Sequence, residues 1–424
     1  LSLFAGRQEQ TLETIQDFLS SIYKEYQVFA FRGGRVVRGK LRAMTDDHLA
    51  RLKDHLRNLG WLHRFEDVDN IDYLNCTVLD TPLAQRRLLH LGLFVATIFT
   101  TLLAGGDFAF GYSYAILSGI IRNLMLAAYS FVSSDLQTPR YWLGLAGKGM
   151  LEILGMMKQG IPFSAAILTI LGCHEMGHYL MARRHGMNVT LPFFIPVPLG
   201  IGTLGAVIRI KSPLVHRRAV LDVGAAGPLT GMVVSVIFLT IGLYLSKVVP
   251  NAHLRSEFIF GDSLFTKAMI RLIHGTLPAR ADVVLHPFAF AGWLGMLITA
   301  INLMPIGQLD GGHVAYALFG RFQRRLATMA FGLLVTLGLI GVLGALNASG
   351  VFSPSLPMAN AAFWPWLLCA AFMRSFMKPA HPPTLDETVG LNPARKIVGF
   401  LCIILLILCF VPTPVIVSQG IGAV

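Results

Sequence analysis

The chain has 424 residues, 54% of them hydrophobic and only 14% charged, with a mean hydropathy of +0.61. Soluble domains carry about 25% charged residues, so this composition excludes an ordinary soluble protein and equally a disordered one, leaving a polytopic membrane protein. The net charge of +12, from 35 Lys+Arg against 23 Asp+Glu, is carried largely by short loops between apolar runs, which reads as the positive-inside rule rather than as a nucleic-acid partner.

Residues 1–86 are polar and stand apart. Gln27–Arg32, Trp61–Phe65 and Ile71–Leu79 read as strands, and Thr45–Asn58 as an amphipathic helix whose start is marked by Thr45, Asp46 and Asp47. Arg32-Gly33-Gly34-Arg35 reads as a turn, since no GxGxxG or Walker pattern surrounds it. A small α/β soluble domain is expected here.

Apolar segments of spanning length follow. They are Leu88–Ala104, Ile161–Arg183, Ala219–Leu245, Phe288–Phe319, Ala327–Leu346, the short Ala359–Met373, and Ile397–Val417. Ala115–Val132, interrupted by Arg122 and Asn123, reads as an interfacial helix. Placing residues 1–87 in the cytoplasm puts Arg86-Arg87, Arg183-Arg184, Arg217-Arg218, Arg324-Arg325 and Arg395-Lys396 on that same side. The expected fold is therefore a polytopic α-helical membrane protein with about seven transmembrane helices. Its expected parts are a cytoplasmic α/β domain over 1–86, a first transmembrane helix with an outside loop over 87–160, a catalytic membrane core over 161–319, and C-terminal transmembrane helices over 320–424. The five cysteines are scattered, without CxxC spacing, so no structural disulfide is expected. No basic-then-apolar signal or transit peptide opens the chain, which favours a bacterial cytoplasmic membrane over a plastid membrane.

The chemistry concentrates in two of these segments. His174-Glu175-Met176-Gly177-His178 is an HExxH, which occurs by chance about 0.01 times in a chain of this composition. On a helix, positions i and i+4 share a face, so both imidazoles can reach one zinc ion. Glu175 stands beside the first of them, where it can take a proton from a water molecule. Three ionisable side chains in an apolar span cost about 2.5 kcal/mol or more each, so they call for a function. A third ligand is needed, and Asp310 is a second carboxylate inside an apolar segment, just past a break set by Pro305 and Gly307. Both segments run from outside to inside with their motifs in the cytoplasmic halves, which makes a zinc shared by His174, His178 and Asp310 geometrically natural. Asp222, next to Arg217 and Arg218, is expected to pair with them.

Leu191–Ile210 contains prolines that exclude a regular helix, and Gly200-Ile201-Gly202 forms a turn between two apolar runs. It reads as a re-entrant hairpin beside the HExxH helix. Its free edge at Val207 and Ile208 is the expected binding strand, open to strand addition by an extended peptide.

HEMGH in one span and NLMPIGQLDGG in a later one resemble the site-2 protease family of intramembrane zinc metalloproteases, in the branch with a soluble N-terminal domain found in bacteria and chloroplasts. Gly205–Gly231, His286–Gly295 and His381–Arg395 are similar to that branch as well, so the resemblance covers roughly residues 160–415. It implies zinc on His174, His178 and Asp310, Glu175 as general base, and Asn302 as a catalytic residue holding the substrate or the oxyanion. It also implies proteolysis within or near transmembrane segments of membrane-bound substrates in the bilayer. The alternative is a transporter or metal carrier using intramembrane His and Asp. That reading lacks the paired internal repeats of transporters and leaves Glu175 without a task.

Overall fold

The computed structural model describes residues 18–31, 34–43, 45–58, 62–68, 71–79, 87–110, 139–197, 200–210, 216–250, 258–278, 281–348, 363–376, 380–384 and 389–417. The N-terminal elements are strands β1 (Tyr23–Phe31), β2 (Gly34–Leu41), β3 (Leu62–Val68) and β4 (Ile71–Leu79), with helix α1 (Asp46–Asn58). They form one antiparallel sheet in the order β1-β2-β4-β3. Leu52 and Leu56 of α1 pack with Tyr23, Val37, Leu74 and Cys76 of the sheet in a core of their own. The sequence reading recognised three strands; β2 escaped it because its alternating arginines and lysine read as turn and loop. Phe31 pairs with Gly34, and Arg32 and Gly33 of the turn expected at Arg32–Arg35 lie outside the described residues. Burial pushes the Cys76 thiol up to about 12, and the Tyr23 hydroxyl hydrogen-bonds its sulfur at 3.4 Å.

The apolar part begins with α2 (Arg87–Phe110) and α3 (Pro139–Arg184). A hairpin of β5 (Phe193–Pro196) and β6 (Thr203–Val207) leads to α4 (Arg217–Leu245). Two small sheets follow at the far end: β7 (Lys247–Pro250) with β9 (Ala281–Val284), and β8 (Phe258–Phe260) with β10 (Val415–Val417), flanking α5 (Leu264–His274). The rest is helical: α6 (Pro287–Asn302), α7 (Asp310–Phe319), a 3-10 turn at Gly320–Phe322, α8 (Gln323–Ala348), α9 (Pro365–Phe376) and α10 (Pro393–Cys409). Helix α6 is the hub. Its Ala289, Phe290, Trp293 and Met296 are buried against Ile167 and Ile170 of α3 and Leu239 and Leu243 of α4.

The expectation of about seven spans is corrected. Among the described residues, four helices are long and apolar enough to cross a membrane: Leu88–Gly106, Ile153–Arg184, Arg217–Leu245 and Asp310–Gly344. The segment expected as one span over Phe288–Phe319 ends its first helix at Asn302, and its second half runs on through Gly320–Phe322 into α8. At 1.5 Å per residue, α6, α9 and α10 reach only about 24, 18 and 26 Å, against a hydrocarbon thickness of about 30 Å. Hydropathy sees continuous apolar sequence there and misses the breaks.

The re-entrant hairpin is corrected too. Leu191–Ile210 does hold an antiparallel pair, Phe193↔Val207 and Phe194↔Ala206, but no re-entrant hairpin is indicated. The pair lies along α2: His90 Nδ1 donates to the Pro192 carbonyl at 3.2 Å, and Thr100 Oγ1 to the Gly202 carbonyl at 2.6 Å. An apolar run with a glycine turn has the same pattern whether it lies on a helix or enters a bilayer. The interfacial helix expected at Ala115–Val132 lies outside the described residues.

Candidate metal centre

The HExxH sits near the C-terminal end of α3, packed antiparallel to α4. His174, Glu175 and His178 are all buried. Asp310 arrives from the other side, at the first position of α7. Its helix cap, Leu309, makes no side-chain cap bond, and the Asp310 carboxylate is engaged by the two histidines. Both oxygens turn to the histidines: Oδ2 lies 3.2 Å from His174 Nε2 and Oδ1 3.3 Å from His178 Nε2. The two Nε2 atoms are themselves 3.2 Å apart.

The break that presents Asp310 is built into the sequence. Pro305 ends the α6 ladder, and Gly307 takes φ 57°, a left-handed conformation that favours glycine. Gly311 lets the start of α7 pass under Leu303, where a Cβ would lie 1.8 Å from the Leu303 carbonyl oxygen. Gln323 Nε2 donates to the Pro305 carbonyl at 3.0 Å and ties the turn down.

These residues fit a zinc ion. His178 Nδ1 is 2.7 Å from the Val223 carbonyl, which can only accept, so Nδ1 carries the proton. The lone pair of a neutral His178 is then on Nε2, facing the acceptor Asp310 Oδ1. Two acceptors in that arrangement repel unless a proton or a cation lies between them. Zinc–ligand bonds of about 2.0–2.1 Å in tetrahedral geometry place neighbouring ligand atoms about 3.3 Å apart, close to the 3.2 Å between the two Nε2 atoms and the 3.2 Å from His174 Nε2 to Asp310 Oδ2. His174, His178 and Asp310 are thus positioned to chelate a metal ion, and two imidazoles with one carboxylate form a donor set suited to zinc.

Glu175 lies on the same turn of α3, and its Oε2 accepts the backbone N–H of Ile208 at 2.9 Å. Ile208 therefore joins the centre directly, while Val207, half-exposed on β6, flanks it. Asn302, the last residue of α6, brings Nδ2 to 3.5 Å from His174 Nε2.

Two nearby polar residues are engaged outside this centre. His313 hydrogen-bonds His381 at 2.7 Å rather than the three ligands. Asp222 does not pair with Arg217 or Arg218. It receives Arg395 in a two-pronged bond, 2.8 Å on each oxygen, and His185 Nε2 at 3.0 Å. The arginines near it in sequence are drawn to backbone carbonyls instead: Arg217 to Ala317 in α7 and Arg218 to Gly390, before the start of α10.

Sequence reasoning missed Gly227 and Gly231. A Cβ on Gly227 would lie 2.0 Å from His178 Nε2, and one on Gly231 2.9 Å from His174 Nδ1. Two glycines four apart in an apolar helix are the small-residue signature of close helix contact, and that signal was available.

The profile of Peptidase family M50 matches residues 162–344, which contain every residue of this centre. The chain is 32% identical over 264 residues to the probable zinc metalloprotease EGY2, chloroplastic, of Arabidopsis thaliana, covering 62% of this chain and 43% of that one. It is 31% identical over 256 residues to the probable zinc metalloprotease EGY1, chloroplastic, of the same plant, covering 59% and 43%. Against EGY2 of Oryza sativa subsp. indica it is 34% identical over 183 residues, covering 43% and 33%. The chain spans less than half the length of these curated relatives, and no solved structure matches it. The HExxH, the distant LDG aspartate and the profile match all fall on one centre, so across residues 162–344 the chain is similar to peptidase family M50.

Proposed function

We propose that this chain is an intramembrane zinc metalloendopeptidase that hydrolyses peptide bonds within or near transmembrane segments of membrane-bound substrates. The observation that carries the reading is the convergence of His174, His178 and Asp310 on one point, with Glu175 on the same helix turn. In this reading the three residues hold zinc. Bound zinc supplies Lewis acidity, which makes water nucleophilic near neutral pH and polarises a carbonyl. Glu175 takes the proton from the attacking water and passes it to the leaving amine. Asn302 steadies the substrate carbonyl from the end of α6. Val207 and Ile208 offer backbone groups to a substrate stretch that has left its helix, since a peptide bond inside a helix is closed to attack.

Residues 1–86 form the cytoplasmic α/β domain in this proposal, 87–160 the first transmembrane helix and an outside loop, 161–319 the catalytic core, and 320–424 the C-terminal helices. The membrane is a bacterial cytoplasmic membrane or a plastid membrane; the chloroplastic relatives support the second. Glu175→Ala tests the function: the variant is expected to keep its metal, lose proteolysis, and retain uncleaved substrates in native membranes. Cleavage by metal-loaded Glu175→Ala at the wild-type rate overturns the mechanism.

A further inference from the structure

The centre depends on how far α4 is slid along α3. Three features of α4 must meet α3 at once. The Val223 carbonyl takes the proton of His178 Nδ1 at 2.7 Å, Gly227 lies under His178, and Gly231 lies under His174. A slip of one residue moves these partners by about 1.5 Å, whereas metal–ligand distances tolerate about 0.2 Å. Most of the α3–α4 interface consists of small and apolar side chains. Such contacts are weakly directional, and in lipid no hydrophobic force drives them together.

Besides the His178–Val223 bond and the Thr230 Oγ1 bond to the Cys173 carbonyl at 3.0 Å, a charged directional contact spans the same interface at the end of α3. His185, immediately after the end of α3, lies 3.0 Å from Asp222, the residue before Val223. The His185 backbone is held where the helix closes: its N–H bonds the Met181 carbonyl, and Gly186 turns the chain at φ 67°. Asp222 is fixed in turn by the two-pronged bond from Arg395. Arg395 belongs to the first turn of α10, whose cap is the Asn392 side chain bonded to the Arg395 N–H at 3.0 Å. A carboxylate held by a planar guanidinium fork is fixed in direction as well as distance.

We propose that Asp222, held by Arg395, is a positioning residue for the metal centre: through His185 it sets the register of α4 on α3, and so aligns the Val223 carbonyl, Gly227 and Gly231 with the two histidine ligands. This rests on the zinc reading of His174, His178 and Asp310. No group in the proposed clamp touches the metal or the reacting atoms.

The test uses the full chain, purified in detergent, with Zn2+ affinity measured by competition against a chromogenic chelator. Asp222→Ala and His185→Ala are each expected to weaken Zn2+ binding by about 10–100-fold. The double variant is expected to be no worse than Asp222→Ala alone, because that substitution has already removed the contact that His185→Ala breaks. His185→Gln, which keeps a donor at similar reach, should restore the affinity. Trp293→Phe serves as a control for general loosening, since it removes the Trp293 Nε1 bond to the Gly261 carbonyl, 2.8 Å, far from the clamp. Its Zn2+ affinity should match the wild type. Unchanged affinity in His185→Ala, an additive double variant, or an equal loss in Trp293→Phe overturns the proposal. Should Asp222→Ala fail to fold, the contrast between His185→Ala and His185→Gln decides it. Asp310→Ala separates the two readings: if it leaves Zn2+ binding intact, the metal centre itself is wrong. If it abolishes binding while His185→Ala does not, only the clamp is wrong.

Discussion

Gly227 faces His178 so closely that a methyl group on it would lie 2.0 Å from the Nε2 atom. The space above that glycine is therefore part of the centre. Gly227→Ala is expected to push the imidazole off its bond to Val223 and to abolish Zn2+ binding. It should also destabilise the chain by about 1–3 kcal/mol through overpacking. Gly231→Ala, with 2.9 Å to His174 Nδ1, asks for a smaller shift and should weaken binding without abolishing it. Metal content per chain after dialysis separates the two. Full zinc occupancy in Gly227→Ala would mean that α3 and α4 can part freely, contrary to this packing.

Asn302 stands at the edge of the same centre, and its 3.5 Å approach to His174 is too long for a strong hydrogen bond. Its amide is thus free to serve a substrate oxygen. Asn302→Ala is expected to keep its zinc and to lose about 10²-fold in kcat, the usual effect of removing one oxyanion donor, with KM little changed. A loss of metal with kcat unaffected in the loaded fraction would make Asn302 a packing residue instead.

Val207→Pro and Ile208→Pro both remove a backbone donor, but different ones. Ile208→Pro takes away the N–H that holds Glu175 Oε2 at 2.9 Å. Val207→Pro alters an exposed position of β6 beside it. Both are expected to keep zinc and lose cleavage of a transmembrane substrate. Ile208→Pro should also lose cleavage of a short unstructured peptide, because it disturbs Glu175. Val207→Pro should spare that peptide if strand addition is its role. Equal losses on both substrates in Val207→Pro would argue against substrate pairing at β6.

The ligand set was legible because its cost made it conspicuous. His174, Glu175, His178 and Asp310 are ionisable groups in apolar sequence, and the spacings are periodic or motif-like. The helical count was not legible. Pro305 and Gly307 were recognised as a break, yet the sequence does not reveal that the ladder stops at Asn302 and that Asp310 restarts it as part of the next long helix. The hairpin pairing was visible in Gly200 and Gly202, but its seat on His90 and Thr100 depends on residues about a hundred positions away. Asp222 shows the same limit: its nearest cations in sequence were the expected partners, and the structure supplies Arg395 instead. Short-range pattern predicts which groups must be paired, and tertiary packing chooses the partner.

The segment at residues 381–384 offers a pH test away from the metal. The His381 N–H bonds Gln323 Oε1 at 3.1 Å, the Thr384 N–H bonds the Tyr316 hydroxyl at 3.1 Å, and the His381 ring stacks on Tyr316. The His381 Nδ1–H is taken by the Pro382 carbonyl, so Nε2 is the acceptor for His313 Nδ1–H at 2.7 Å. Burial holds the His381 ring below its ordinary value of 6.5. A base whose pKa is lowered on folding binds more protons when undocked, so docking strengthens as pH rises through that window. The contribution is complete above pH 6.5 and is lost as pH falls from 6.5 through the lowered value. Protonation would also place an N–H on Nε2 facing the His313 donor. Hydrogen-exchange protection factors for the His381 and Thr384 amides are therefore expected to fall as pH drops below 6.5, with the N-terminal sheet amides unaffected. In His381→Gln, which cannot titrate, the fall should disappear. A pH-independent protection factor in the wild type, or the same fall in His381→Gln, would show that another group governs the docking of this segment.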